Sequence, residues 1–276
     1  MGEEQDRQMA VGAHYDRDEA YASEIARLET LGPVERAMTE RILARLVPPG
    51  CMVADVGVGA GHYDEFLALR GCSLCLVDVS QRLLQTARDR LHARDCSGCV
   101  VDSVVASATH LGHLADESCD AVLLLGPLYH LLTLPERRQA VAEAHRVLRP
   151  GGVLLAAAIS RLAGLHAEYL CWPERGAERH DRLTRFLADG LVGPEDSATL
   201  GQAFFTTAFE FRELFAGDFD EVVLAGIESF TGCEQESFSG LSDDDKDAWL
   251  DLVERTMALP EALGCCEHYL YAGRKR

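Results

Sequence analysis

The sequence predicts an α/β protein: a doubly wound, seven-stranded, mainly parallel sheet with helices on both faces and a helical lid insertion. Three observations carry this expectation. From Cys51 to Ile159, short apolar runs alternate with longer segments of helical periodicity. Strand then helix, repeated, gives parallel strands joined by right-handed crossovers. The apolar runs are nearly unbroken, as in strands covered on both faces. Finally, the alternation halts after Ser160 and resumes near Ala208, which marks an insertion.

Residues 1–15 read as loose. Residues 16–31 and Pro33–Val47 read as two helices. In the second, Val34, Met38, Ile42, Leu43 and Leu46 recur at helical spacing, and Pro33 suits a first turn. Pro48, Pro49 and Gly50 break the chain. Cys51–Val56 follows as a strand, His62–Arg70 as a helix and Ser73–Val77 as a strand ending at Asp78. Ser80 caps a helix to about Arg94, with Leu83, Leu84, Ala87 and Leu91 on one face. Val100–Val105 and Cys119–Leu125 are strands. Thr133 caps a helix to Leu148, which stops at Arg149-Pro150-Gly151-Gly152, and Val153–Ile159 is a strand. Residues 161–202 are polar, helical in character and without a convincing strand. Ala208–Phe215 and Ser242–Leu259 then read as helices, and Glu221–Ile227 and His268–Gly273 as strands.

Four regions result: an N-terminal helical segment or lid (1–32), a ligand-binding core (33–160), a helical cap insertion (161–203) and the C-terminal part of the core sheet (204–276). The chain has 276 residues, 47% of them hydrophobic, enough for a full core. Its formal net charge of −19 argues against a nucleic-acid partner, because phosphate backbones repel such a surface. The first ten residues lack the apolar stretch of a signal peptide. The longest apolar run, Ala121–Leu134, is broken by Gly126, Pro127 and His130, so no membrane span is expected. A cytoplasmic location follows as an expectation, with the ten cysteines mostly thiols.

The functional signal is Asp55-Val-Gly57-Val-Gly59-Ala-Gly61-His62, where a strand enters a turn of alternate glycines and a helix follows. Such turns bind ligands because backbone N–H groups point outward and no side chain blocks approach. A dinucleotide fingerprint places its third glycine where this chain has His62, which disfavours a nicotinamide dehydrogenase. Asp78 closes the next strand. An acid there can accept hydrogen bonds from both hydroxyls of a ribose, or serve only as a helix-start acid before Ser80.

Four segments together resemble the class I S-adenosylmethionine-dependent methyltransferases. They are Asp55 to Gly61, Leu76-Val-Asp78-Val-Ser80, Asp120 to His130 with Gly126-Pro-Leu-Tyr-His, and His145-Arg-Val-Leu-Arg-Pro-Gly-Gly152. The similarity is strong over residues 33–160 and weaker over 204–226 and 268–274. The resemblance implies strand order 3-2-1-4-5-7-6 with the last strand antiparallel, and S-adenosyl-L-methionine as cofactor. It implies that Gly57, Gly59 and Gly61 approach the methionine and ribose parts, that Asp55 lies near the methionine amino group, and that Asp78 holds the ribose. Val79 would pack on adenine, and Leu125 and Gly126 would line the methionine end. Relatives often place an aromatic such as Tyr15 over that end. Where many carry Gly-Asp-Ala after the third strand, this chain has Ala106-Ser107-Ala108. Ser107 and Ala108 would meet the adenine, with Ser107 accepting its amino hydrogen bond without charge.

Methyl transfer needs a nucleophile held in line with the C–S bond and water kept out. His130 is the candidate base, with Tyr129 beside it, since imidazole titrates near neutrality. Both residues also suit a purely structural part in the Pro127 turn. His166 and Tyr169, in the insertion, are candidates for acceptor contact or simply exposed positions. Cys72/Cys75 and Cys96/Cys99 have zinc-site spacing, but Cys75 lies within an apolar strand, so no metal is expected. The expected partner is a small-molecule methyl acceptor bound under the insertion, and the chain is a candidate homodimer. Non-methylating chemistry on the same cofactor, or a regulatory binding role, are the competing readings.

Overall fold

Alternate residues of each central strand point to opposite sides of the sheet, and the core divides accordingly. Val53, Leu74, Leu76, Ala121, Leu123, Val153 and Leu155 belong to one apolar layer, while Ala54, Cys75, Val77, Val122, Leu124, Leu154 and Ala156 belong to the other. The computed structural model describes residues 3–171, 176–193, 197, 200–232 and 235–276.

In chain order the helices are α1 (Glu3–Tyr15), α2 (Asp18–Ala26), α3 (Pro33–Leu46), α4 (His62–Ala68), α5 (Gln81–Ala93), α6 (Leu134–Val147), α7 (Arg161–Cys171), α8 (Ala177–Asp189), α9 (Ala208–Glu213), α10 (Glu236–Ser239) and α11 (Asp243–Thr256). The strands are β1 (Met52–Val56), β2 (Ser73–Asp78), β3 (Val100–Val105), β4 (Cys119–Leu124), β5 (Leu148–Ile159), β6 (Leu191–Val192), β7 (Ala203–Phe204), β8 (Phe219–Gly226) and β9 (His268–Lys275). Seven of them form one sheet in the order β3-β2-β1-β4-β5-β9-β8, and β6 and β7 pair apart from it. β9 runs antiparallel to both β5 and β8, so the main sheet has the order 3-2-1-4-5-7-6 implied by the resemblance. Helices α3, α4, α5 and α11 cover one face, and α6 and α9 the other. No helix among the described residues is long and apolar enough to cross a membrane.

Local sequence accounts for most boundaries. Ser80 Oγ accepts from Leu83 N at 3.1 Å to start α5. Thr133 and Glu136 form a reciprocal capping box at α6. Three expectations need correction. Of the residues 1–15 expected to be loose, Glu3–Tyr15 form α1, and the first two lie outside the described residues. The helix expected over 16–31 begins at Asp18 and passes into a π-helical turn, Arg27–Leu31. The insertion contains a strand, β6, paired with β7. In the first case tertiary docking decides, because a short polar helix gains little from its own propensity. Gly12 of α1 lies so close to Val79 that an added Cβ would sit 2.3 Å from the Val79 carbonyl oxygen. Arg7 also pairs with Glu136 at 2.5 Å.

A buried ionic chain fixes the π-helical turn. Arg27 Nη1 donates to Glu35 Oε2 at 2.6 Å, His268 Nδ1 lies 3.6 Å from that oxygen, and it donates to Glu228 Oε1 at 2.7 Å. Glu228 Oε2 also accepts from the backbone N–H groups of Glu267 and His268. Burial disfavours the imidazolium, but the Glu35 and Glu228 carboxylates outweigh it and raise His268 to about 9. Glu35, Glu228 and His268 have metal-ligand chemistry at close range, yet Arg27 and the imidazolium proton already hold both carboxylates.

Two predictions follow from this packing. Leu76 is fully buried, and Leu76→Ala should lower stability by about 2–5 kcal/mol in urea titrations. The folded chain holds the His268 proton more tightly than the unfolded chain does. That contribution is therefore complete below about pH 6.5 and lost as pH rises through about 9. The stability advantage of wild type over His268→Gln should shrink across that window; a constant difference would contradict a charged His268.

Candidate active site

The turn after β1 is built by backbone. Gly57 N donates to Val77 O at 2.7 Å, joining the ends of β1 and β2. Gly57, Gly59 and Gly61 all have positive φ. Gly61 is the most constrained: at φ +75° a Cβ would also lie 2.7 Å from Ala87 Cα of α5. Asp78, at the end of β2, accepts from Gly59 N at 3.2 Å and from Ser80 N at 2.8 Å. Burial raises its carboxyl to about 6 despite those donors. Asp55 is raised to about 7 by burial, and its Oδ1 is buried without a hydrogen-bond partner. Asp64, two residues into α4, is raised by burial and by the neighbouring Asp55, and both of its carboxyl oxygens are buried without a hydrogen-bond partner.

The facing wall comes from the segment after β4. Leu125, Gly126, Pro127, Tyr129 and His130 line the same pocket as the glycine turn. His130 Nδ1 lies 3.1 Å from the Gln202 carbonyl oxygen, an acceptor only, so Nδ1 carries the hydrogen. Nε2 is then the lone-pair nitrogen and accepts from the Tyr15 hydroxyl at 2.9 Å. Burial lowers the imidazole to about 4, so it is neutral at physiological pH. The Tyr15 and Tyr129 rings pack edge-on against it, at centroid distances of 5.3 and 4.6 Å.

The N-terminal helices form the cover. Gln8, Val11, Tyr15, Glu24, Arg27 and Leu28 all line the pocket. Polar contacts fasten the cover to α5. Ser80 Oγ donates to Asp16 Oδ1 at 2.6 Å, and Arg82 Nη1 donates to Asp16 O and to Asp18 Oδ1, both at 2.9 Å. The pocket lining holds three carboxyl side chains, Glu24, Asp55 and Asp78, against one guanidinium, Arg27. That balance suits a ligand carrying positive charge.

Of the residues singled out from sequence, Tyr15, Asp55, Gly57, Gly59, Asp78, Val79, Ala108, Leu125, Gly126, Tyr129 and His130 line this one pocket. Gly61 packs beneath the turn and is not in the lining. Ser107 is also outside it; its hydroxyl donates to Gln8 Oε1 at 3.3 Å, and Gln8 takes the lining position. His166 and Tyr169 are exposed on α7, away from the lining. The two cysteine pairs do not converge, because Cys72, Cys96 and Cys99 face one core layer and Cys75 the other.

Sequence reading missed Gln8, Glu24, Arg27, Asp64 and Gln202. Asp64 had a usable signal, an acid in the first turn of the helix that follows the glycines. The others are brought in by tertiary docking, which leaves no local signature.

The family model for a methyltransferase domain matches residues 54–156. Among curated relatives, the methyltransferase GfsG of Streptomyces halstedii is 35% identical over 141 residues, covering 50% of this chain and 49% of that protein. A ubiquinone biosynthesis O-methyltransferase of Xanthomonas axonopodis pv. citri is 34% identical, over 52% of this chain and 59% of the relative. The chain thus spans half to three-fifths of the length of these relatives. A solved SAM-dependent methyltransferase from Thermotoga maritima superposes with TM-score 0.57 at 20% identity, covering 96% of this chain and 99% of that one, a likeness of fold. The sheet order, the glycine turn running into α4 and the matched domain model converge on one stretch: residues 54–156 form a methyltransferase domain set in the class I sheet order.

Proposed function

We propose that the chain binds S-adenosyl-L-methionine in the pocket under the N-terminal helices and transfers its methyl group to a small-molecule acceptor. One observation carries the reading. The glycine turn, the Asp78 carboxylate and the unpartnered Asp55 Oδ1 face a single pocket whose lining is rich in carboxyl groups. A sulfonium nucleoside with an amino group needs such a lining. When bound, it supplies an electrophilic methyl group. The chain's own residues bind and orient it: Asp78 takes the ribose hydroxyls, Asp55 the ammonium, Val79 and Ala108 the adenine faces, and Leu125 and Gly126 the methionine end. Tyr15 and Tyr129 exclude water there. The net charge of −19 supports an acceptor that is not a nucleic acid.

His130 has the tautomer a base requires, with Nδ1–H held by Gln202 and the Nε2 lone pair pointing toward Tyr15. In this arrangement the lone pair is occupied by the Tyr15 hydroxyl. A base role therefore has Tyr15 swing aside, or pass the acceptor's proton through its own hydroxyl to Nε2.

Asp78→Ala should weaken S-adenosylhomocysteine binding at least tenfold, about 1.4 kcal/mol by calorimetry; unchanged affinity would refute the ribose assignment. Positive ligand charge favours ionised carboxylates, so binding should expel the protons that Asp55 and Asp78 retain near pH 7 and 6. Affinity for S-adenosylmethionine should accordingly rise between pH 5 and 8, and Asp78→Asn should flatten the lower part of that rise. His130→Ala should slow single-turnover methyl transfer while leaving cofactor affinity intact. A rate equal to wild type would confine His130 to holding Tyr15 and Gln202.

A further inference from the structure

A second cavity, of about 320 Å³, shares Tyr129 with the pocket at the glycine turn, so the two are neighbours. The second cavity is walled by Leu128, Phe204, Phe209 and Phe211, with Arg137 set among them. Arg137 is only 9% exposed. Its guanidinium stacks on the Phe204 ring with Cζ 3.6 Å from the centroid, and Nη1 donates to Leu131 O at 2.6 Å.

What Arg137 lacks is an anion. Two nearby carboxylates are engaged elsewhere, and a third, Glu213, also lines the cavity. Glu136 takes Arg7 and the α6 cap, and Glu210 takes Arg161 at 2.8 Å and the α9 cap. The other buried arginine, Arg161, thus has its acid, while Arg137 makes no ion pair among the described residues. Burial lowers Arg137 to about 10, which still leaves it cationic at neutral pH. Keeping a desolvated cation unpaired is costly, and the guanidinium fork has N–H groups left over that match a carboxylate or phosphate edge.

We infer that this cavity binds an oxyanion carried on a flat apolar body, with Arg137 holding the oxyanion and the aromatic walls holding the body. Under the methyltransferase reading, on which this last step rests, that molecule is the methyl acceptor: an aromatic or similarly flat acid reaching past Tyr129. The oxyanion site itself stands on Arg137 and the cavity alone.

The test uses the full chain and three probes that share one ring system: 2-naphthoate, 2-naphthyl phosphate and the neutral 2-naphthalenemethanol. Calorimetry at pH 7.5 should show at least one of the anions binding tenfold or more tightly than the alcohol, and which anion leads tells carboxylate from phosphate. Arg137→Gln should reduce that preference to threefold or less while leaving the alcohol's affinity within twofold. Phe209 is 72% exposed, so its replacement spares the fold. Phe209→Glu should weaken anion binding relative to Phe209→Gln, which covers the case of Arg137→Gln failing to fold. Equal binding of anions and alcohol, or a preference that survives Arg137→Gln, overturns the inference. S-adenosylhomocysteine binding is measured on the same samples. Its absence from wild type would defeat the methyltransferase reading and leave a confirmed anion preference in place.

Discussion

The Asp78 carboxylate gathers the site. One oxygen accepts from Gly59 N and the other from Ser80 N, so a single side chain braces the turn after β1 and the start of α5. Ser80 in turn caps α5 and donates to Asp16 of the N-terminal segment. Turn, helix and cover therefore share one anchor, and that anchor lies where parallel strands expose their carboxyl ends and ligands bind. The cost is visible in the raised Asp78 and Asp55 carboxyls. Buried acids held in this way are poised for a positively charged partner, which is how a strained local charge balance becomes a binding preference.

The sheet was legible because its rules are local. Val53-Ala54, Leu74-Cys75 and Leu123-Leu124 alternate between layers whatever their neighbours do, and crossover handedness then sets the order. Asp55, Asp78 and the glycines were legible because the strand-to-helix turn needs those residue types at that spacing. The N-terminal region was not legible. Nothing in Glu3–Tyr15 announces a helix, and its docking depends on Gly12 meeting Val79 across 67 positions of chain. Ser107 shows the same limit from the other side. Its place in the sequence motif is right, but Gln8 of α1 stands between it and the pocket.

Arg137 and Arg27 show why buried cations repay attention in this chain. Arg27 is part-buried and matched by Glu35 within a chain of alternating charges, whereas the buried Arg137 meets a ring and a carbonyl and no carboxylate among the described residues. The first arrangement is closed and stabilises the fold. The second leaves guanidinium N–H groups without a carboxylate partner among the described residues. Sequence alone cannot separate them, because the distinction lies in which distant acid arrives beside each guanidinium.

The ionic chain from Arg27 through Glu35 and His268 to Glu228 joins the N-terminal cover to the last strand of the sheet. A nascent polypeptide therefore cannot finish the wall of its own pocket early. Arg27 has Glu35 close by in sequence, but the Glu228 and His268 end of the ionic chain is supplied only after residues 228–268 have been made. The pocket cover is thus completed by a contact of long sequence separation, the kind that forms slowly because loop closure precedes its reward.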